Sequence, residues 1–178
     1  MPTNIEMKAH VHDLDDLRSR AESLSDSPVQ IIPQEDTFFH VPKGRLKLRQ
    51  LRPDLAQLVY YERPDCEGPK RSHYFIYETR NPENLKMALS LALGVRGVVR
   101  KTRYLYLVGQ TRIHLDDVEG LGQFMELEVV LRDGQSETEG QSIAKELMKK
   151  LGIRKEDLID GAYMDLLEKD ASSVDHNM

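Results

Sequence analysis

Charged side chains stand two residues apart at several separated places in this chain. Glu6 precedes Lys8, Lys47 precedes Arg49, Lys101 precedes Arg103, Arg112 leads to His114 and Asp116, and Glu126 precedes Glu128. On a strand, a spacing of two puts side chains on one face, so each set presents adjacent charges. Carboxylates paired in this way are hard oxygen ligands, suited to Mg²⁺ or Mn²⁺, which commonly bridge protein carboxylates to substrate phosphates. Clustered Lys and Arg supply the complement, because an oligophosphate drawn out of water needs several cations to balance it. One such set means little by itself, since an antiparallel sheet with a solvated face alternates in the same manner. The alternatives are polar faces turned to solvent, or polar faces converging inside a barrel as a charged lumen.

The elements that must position these groups can be read from periodicity. Ile5, Met7, Ala9 and Val11 alternate with polar residues, the pattern of a strand. Asp13 offers an N-cap, and Leu14, Leu17, Ala21 and Leu24 predict an amphipathic helix over 13–24. Residues 29–41 read as a strand broken near Pro33, and Arg45–Leu51 alternates cations with leucines. Leu55–Arg63 is a further strand closed by Pro64-Asp65, residues 67–71 a loop, and Tyr74–Thr79 a strand. Asn81-Pro82-Glu83 opens a helix that Gly94 ends. Gly97–Leu107 and Thr111–Val118 form a hairpin about Gly109-Gln110, and Phe124–Leu131 is another strand. Glu137–Leu151 is a helix, residues 155–168 one or two short ones, and the polar tail from Lys169 is expected to be disordered. About eight strands with hairpin-length connections indicate an α+β fold, a mostly antiparallel sheet or barrel with helices outside.

The chain has 178 residues, 39% of them hydrophobic, enough for one domain with a real core, assigned to residues 1–168. With 25 basic and 30 acidic residues the net charge is −5, which argues against broad binding to nucleic acid or to an anionic membrane. The single cysteine, Cys66, excludes an internal disulfide and is not expected to be catalytic. No apolar run is long enough to span a bilayer, and the N-terminus has neither signal-peptide nor transit-peptide character, so a cytoplasmic protein is the expectation.

The order of these motifs resembles the CYTH superfamily, the triphosphate tunnel metalloenzymes named for class IV adenylyl cyclases and thiamine triphosphatases. Asn4-Ile5-Glu6-Met7-Lys8 is similar to the family's E-x-E-x-K strand. Leu46-Lys47-Leu48-Arg49 is similar to its L-R-x-R strand, and Lys101-Thr102-Arg103 to its K-x-R strand. The closing D-x-V-x-x-L-G-x-F-x-E-x-E pattern is met in full by Asp116, Val118, Leu121, Gly122, Phe124, Glu126 and Glu128. The resemblance implies an eight-stranded antiparallel closed β-barrel, or tunnel, with helices packed outside. It implies Glu6, Glu126 and Glu128 as metal ligands with Asp116 nearby, and Lys8, Lys47, Arg49, Lys101 and Arg103 as triphosphate ligands. Arg63 is a further candidate, Arg45 is placed near the rim, and His114 is an additional group on the charged face. Glu6 and Lys8 carry the implied catalytic role.

Asn4 stands where the pattern has its first glutamate; an amide oxygen can coordinate but cannot serve as a base. The implied activity is Mg²⁺- or Mn²⁺-dependent chemistry on a small triphosphate such as tripolyphosphate, thiamine triphosphate or ATP. Hydrolysis leads, conversion of ATP to cyclic AMP and pyrophosphate is the alternative, and a binding module without turnover is the third reading. Dimers are suggested by the cyclases of the family.

Overall fold

The computed structural model describes residues 2–64, 66 and 68–176, with the backbone alone for 170–176. Asp65 and Glu67, expected in a closing turn and a loop, lie outside the described residues. In chain order the elements are β1 (Thr3–His10), α1 (Leu14–Leu24), β2 (Gln30–Phe39), β3 (Arg45–Arg52), β4 (Leu55–Glu62) and β5 (Lys70–Thr79). There follow α2 (Pro82–Leu93), β6 (Val95–Val108), β7 (Thr111–Val118), β8 (Gly122–Val130), α3 (Glu137–Leu151), a 3₁₀ turn (Lys155–Asp157), β9 (Leu158–Ile159) and α4 (Tyr163–His176).

Hydrogen bonding runs β5-β4-β3-β2-β6-β7-β8-β1, every pair antiparallel, and β1 returns to β5 to close an eight-stranded barrel. The closing seam is short, from Thr3 opposite His73 to Glu6 opposite Lys70. Beyond it β1 would be left with an open edge, and the two-residue β9 covers that edge at Lys8 and Ala9. This ninth strand delivers residues 160–163 to one end of the lumen.

Most of the core of the protein lies outside the barrel. Met7, Ala9, Ile113, Leu115, Met125 and Leu127 point outward and are almost completely buried beneath Leu17 and Ala21 of α1 and Leu147 and Leu151 of α3. Each such large aliphatic side chain stabilises the fold by about 1.5–3 kcal/mol. Phe39, Leu48 and Ala56 pack under Leu85, Leu89 and Leu93 of α2, whereas Val99, Val118 and Phe124 lie on the inward rows and pack with Phe38 against Tyr163 and Met164 of α4, forming an apolar plug at one end of the barrel. Helices thus cover the apolar faces, so the alternate side chains of the strands must turn inward, where they are mostly polar. Asp13 caps α1 by accepting from the Asp16 amide, and Ser136 caps α3 by accepting from Glu139. At Gly140 the helix α3 approaches β1 so closely that an added Cβ would sit 2.6 Å from Ile5 Cγ1.

Two local expectations are corrected. Pro33 does not interrupt β2, because pairing with β3 begins only at Glu35 and no ladder donor is needed from Pro33 on that side. Strand β5 begins at Lys70 rather than Tyr74, so Lys70 and Arg71 belong to a strand. The strand was hidden because Lys70 and Ser72 are polar residues buried on the lumen side. Helix α4 runs from Tyr163 to His176. No helix among the described residues is long and apolar enough to cross a membrane.

Candidate active site

The inward rows of the strands line a cavity of about 280 Å³. Seven cations face it (Lys8, Lys47, Arg49, Arg63, Lys101, Arg103 and Arg112) with four carboxylates, Glu6, Asp36, Glu126 and Glu128. Most of the residues singled out from the sequence therefore converge in space. Two do not reach the lining. Arg45 lies at the end near α4, with Nη2 donating to Asp165 at 2.7 Å, and Asp116 is fully buried behind Arg103.

Four of these cations are held by two carboxylates. Asp116 accepts from Arg103 Nε at 2.9 Å and Nη2 at 2.8 Å, a two-pronged contact, and also from the Tyr163 hydroxyl at 2.8 Å. Both its oxygens are thus engaged, and its geometry is that of a group orienting Arg103. Asp36 does the same for the adjoining part of the wall, accepting from Arg49 Nε at 2.9 Å, Arg49 Nη2 at 2.8 Å and Lys101 Nζ at 3.0 Å, with Lys47 Nζ 3.7 Å away. Burial alone would raise both carboxyls, but Arg49, Lys101 and Lys47 hold Asp36, and Arg103 holds Asp116, well below the usual carboxylate range.

Asp36 was missed in the sequence although its parity was readable: Ile32, Gln34, Asp36 and Phe38 form one inward row of β2. Tyr163 gave no local signal, since only β9 brings it to the lumen. Its ring lies 3.9 Å beneath Lys8 Nζ.

The lysines are under electrostatic load. Burial pushes Lys8 down to about 7 despite the attraction of Glu126. Burial and Arg49 push Lys47 well below its ordinary value, and burial and Arg103 lower Lys101 in spite of Asp36. A polyanion in the cavity would relieve all three.

The acid groups converge on strands β1 and β8, where Glu6 stands directly opposite Glu128 and Lys8 opposite Glu126. Like charges facing across a ladder are destabilising. Burial, with repulsion from Glu128 and Glu126, lifts Glu6 to about 7, even though Arg63 Nη1 donates to it at 3.1 Å. A divalent cation would remove that conflict. His114 adds a nitrogen: it, Glu126 and Glu128 each offer a ligand atom within 4.8 Å of the others. The residues present therefore fit a metal, with Glu126 and Glu128 as oxygen donors, while Glu6 lies outside that group and accepts from Arg63. Among the described residues the buried Asn4 Oδ1 and Gln34 Oε1 have no hydrogen-bond partner. Gln34, Leu51 and Lys101 also open onto an adjoining, more exposed cavity beneath the β3–β4 turn.

A closed antiparallel barrel with a cation-lined lumen, a carboxylate cluster at one side and most of its core outside defines a tunnel-barrel protein. The CYTH domain family profile matches residues 2–163, and the chain belongs to the CYTH family. It is 26% identical over 170 residues to MJ0240 of Methanocaldococcus jannaschii, a protein provisionally named as an adenylate cyclase, covering 91% of this chain and 97% of that one. Among solved structures, the PH1012 protein of Pyrococcus horikoshii superposes with a TM-score of 0.80 at 27% identity, covering 92% of this chain and 98% of that one. HpAC1 of Hippeastrum, described as having a dominant triphosphatase activity, superposes with a TM-score of 0.64 at 15% identity, covering 96% of each chain.

Proposed function

We propose that this protein hydrolyses a small triphosphate, inorganic or organic, in the tunnel with a divalent metal. The observation that carries the reading is the crowding of buried cations whose own lysines are driven toward neutrality, a stored demand for a polyanion. The narrow lumen favours the phosphate chain itself, and an organic group would extend into the cavity beside Gln34.

In this reading Lys47, Arg49, Lys101 and Arg103 bind the phosphate oxygens, held in place by Asp36 and Asp116. Such fixed cations stabilise charge in an in-line displacement without rearranging, which is most of what phosphoryl transfer asks of a protein. Glu126 and Glu128 would hold the metal, which supplies Lewis-acid neutralisation of the phosphate when bound. Water attacks the terminal phosphorus, the bond to the bridging oxygen breaks, and orthophosphate and diphosphate result. Glu6, lifted to about 7, is placed to accept the proton of the attacking water, and Lys8 to neutralise the leaving diphosphate. Asn4 cannot take the proton, so Glu6 carries that task alone among the inward residues of β1.

The test is turnover of tripolyphosphate, thiamine triphosphate and ATP with Mg²⁺ or Mn²⁺, following orthophosphate and cyclic AMP together. Orthophosphate release abolished by chelation supports hydrolysis. Cyclic AMP with pyrophosphate from ATP would replace it with cyclase chemistry. Tight tripolyphosphate binding without turnover, with activity appearing only in Asn4→Glu, would make the protein a binding module.

A further inference from the structure

His114 sits on the inward row of β7 and is only 4% exposed, yet neither ring nitrogen has a hydrogen bond among the described residues. Nδ1 is fully enclosed without a partner. Nε2 lies 3.9 Å from Glu128 Oε2, beyond hydrogen-bond reach. A polar ring buried in this state is costly unless something else satisfies it. Its ligand atom and one oxygen each from Glu126 and Glu128 lie within 4.8 Å of one another. An ion with bonds of about 2.1 Å holds adjacent ligands about 3.0–3.4 Å apart, so side-chain shifts of about 1–2 Å would complete the set. Two cations border it. Arg103, 3.6 Å from Glu126, is anchored by Asp116, whereas Arg112, 3.0 Å from Glu128, has a 36% exposed side chain and can withdraw.

We infer that His114 is a direct nitrogen ligand beside Glu126 and Glu128, so that the tunnel selects a transition ion such as Mn²⁺ or Co²⁺ over Mg²⁺. The inference rests on the proposed metal-dependent reading and adds to it the class of metal. All-oxygen sites suit Mg²⁺, while an imidazole in the set shifts preference toward transition ions, which form stronger bonds to nitrogen. A purely structural His114 would show no such effect.

The test is Mn²⁺ binding to chelator-treated full-length protein, with and without tripolyphosphate, followed by electron paramagnetic resonance and electron spin-echo modulation. Nitrogen modulation from a directly bound ¹⁴N is expected, changing to the ¹⁵N pattern in protein grown with ¹⁵N-histidine, which requires no mutation. In His114→Gln the nitrogen signal is lost and Mn²⁺ binds at least about tenfold more weakly, the low end of what removing even an outer partner of a metal costs. Mg²⁺ affinity, measured by competition, changes less than Mn²⁺ affinity. Mn²⁺ bound with no histidine modulation and unaltered by His114→Gln would overturn the inference while leaving the triphosphatase reading intact. Absence of any Mn²⁺ binding, alone or with tripolyphosphate, would overturn the metal-dependent reading itself and this inference with it.

Discussion

Asp36→Asn tests the electrostatic argument most directly. The substitution keeps size and shape but removes the one charge that faces Arg49 at 2.8 and 2.9 Å, Lys101 at 3.0 Å and Lys47 at 3.7 Å. Asp36 is completely buried, so water cannot compensate. Removing one partner of a buried ion pair costs about 3–5 kcal/mol. In a chain of this size about 1 kcal/mol moves the melting temperature by about 2–4 °C, so a fall of roughly 6–20 °C is expected without ligand. The loss should be greater at pH 6 than at pH 9, because Lys47 and Lys101 can shed their protons at high pH and relieve the unbalanced charge. Tripolyphosphate supplies the missing negative charge, so its stabilising shift should be larger in the variant than in the parent protein. Turnover should fall by roughly 10- to 100-fold, less than the 10²–10³ typical of deleting a stabilising donor, since Arg49 and Lys101 remain but lose their orientation. Differential scanning fluorimetry across pH and phosphate release assays read these effects. A melting temperature within 2 °C of the parent, with an equal tripolyphosphate shift in both proteins, would refute the reasoning.

Asp116→Asn should raise KM for tripolyphosphate and lower kcat through loss of the Arg103 clamp, leaving Mn²⁺ affinity within about twofold. A tenfold loss of metal affinity would instead make Asp116 a ligand. The free protein should be least stable near neutral pH on account of two groups. Glu6 binds more protons folded than unfolded between 4.5 and about 7, so stability falls with rising pH there. Lys8 binds fewer folded than unfolded between about 7 and 10.5, so stability rises with pH again. Each limb is worth up to a few kcal/mol. In metal- and phosphate-free thermal unfolding, Glu6→Gln should flatten the lower limb and Lys8→Met the upper one. Gly140→Ala should destabilise by about 1–3 kcal/mol through collision with Ile5 and Leu131, although helix propensity alone would favour alanine by about 1 kcal/mol. A stabilised variant in denaturant unfolding would show that α3 can move off β1 freely.

Much of this protein was written locally. Alternation of period two marked the strands and, with it, the shared faces of Lys47 with Arg49, Lys101 with Arg103 and Glu126 with Glu128, because pleating assigns faces whatever the strand later pairs with. The cap at Asp13 and the stripes of α1 and α3 were legible for the same reason, each depending on residues within a turn or two. The closing motif from Asp116 to Glu128 carried the family, and with it the expectation that the polar faces turn inward.

Closure and pairing were decided only in three dimensions. Lys70 and Ser72 form the seam strand because β1 needs a partner, a demand invisible in their own polar segment. Asp36 gains its role from Arg49, thirteen residues away, and Lys101, sixty-five away. Asp116, grouped by its motif with the metal ligands, is engaged by Arg103 and by Tyr163, which β9 carries in from the far end of the chain. Local periodicity can say which way a side chain points. Which opposite charge it meets depends on strand order and register, and burial then turns that meeting into several kcal/mol.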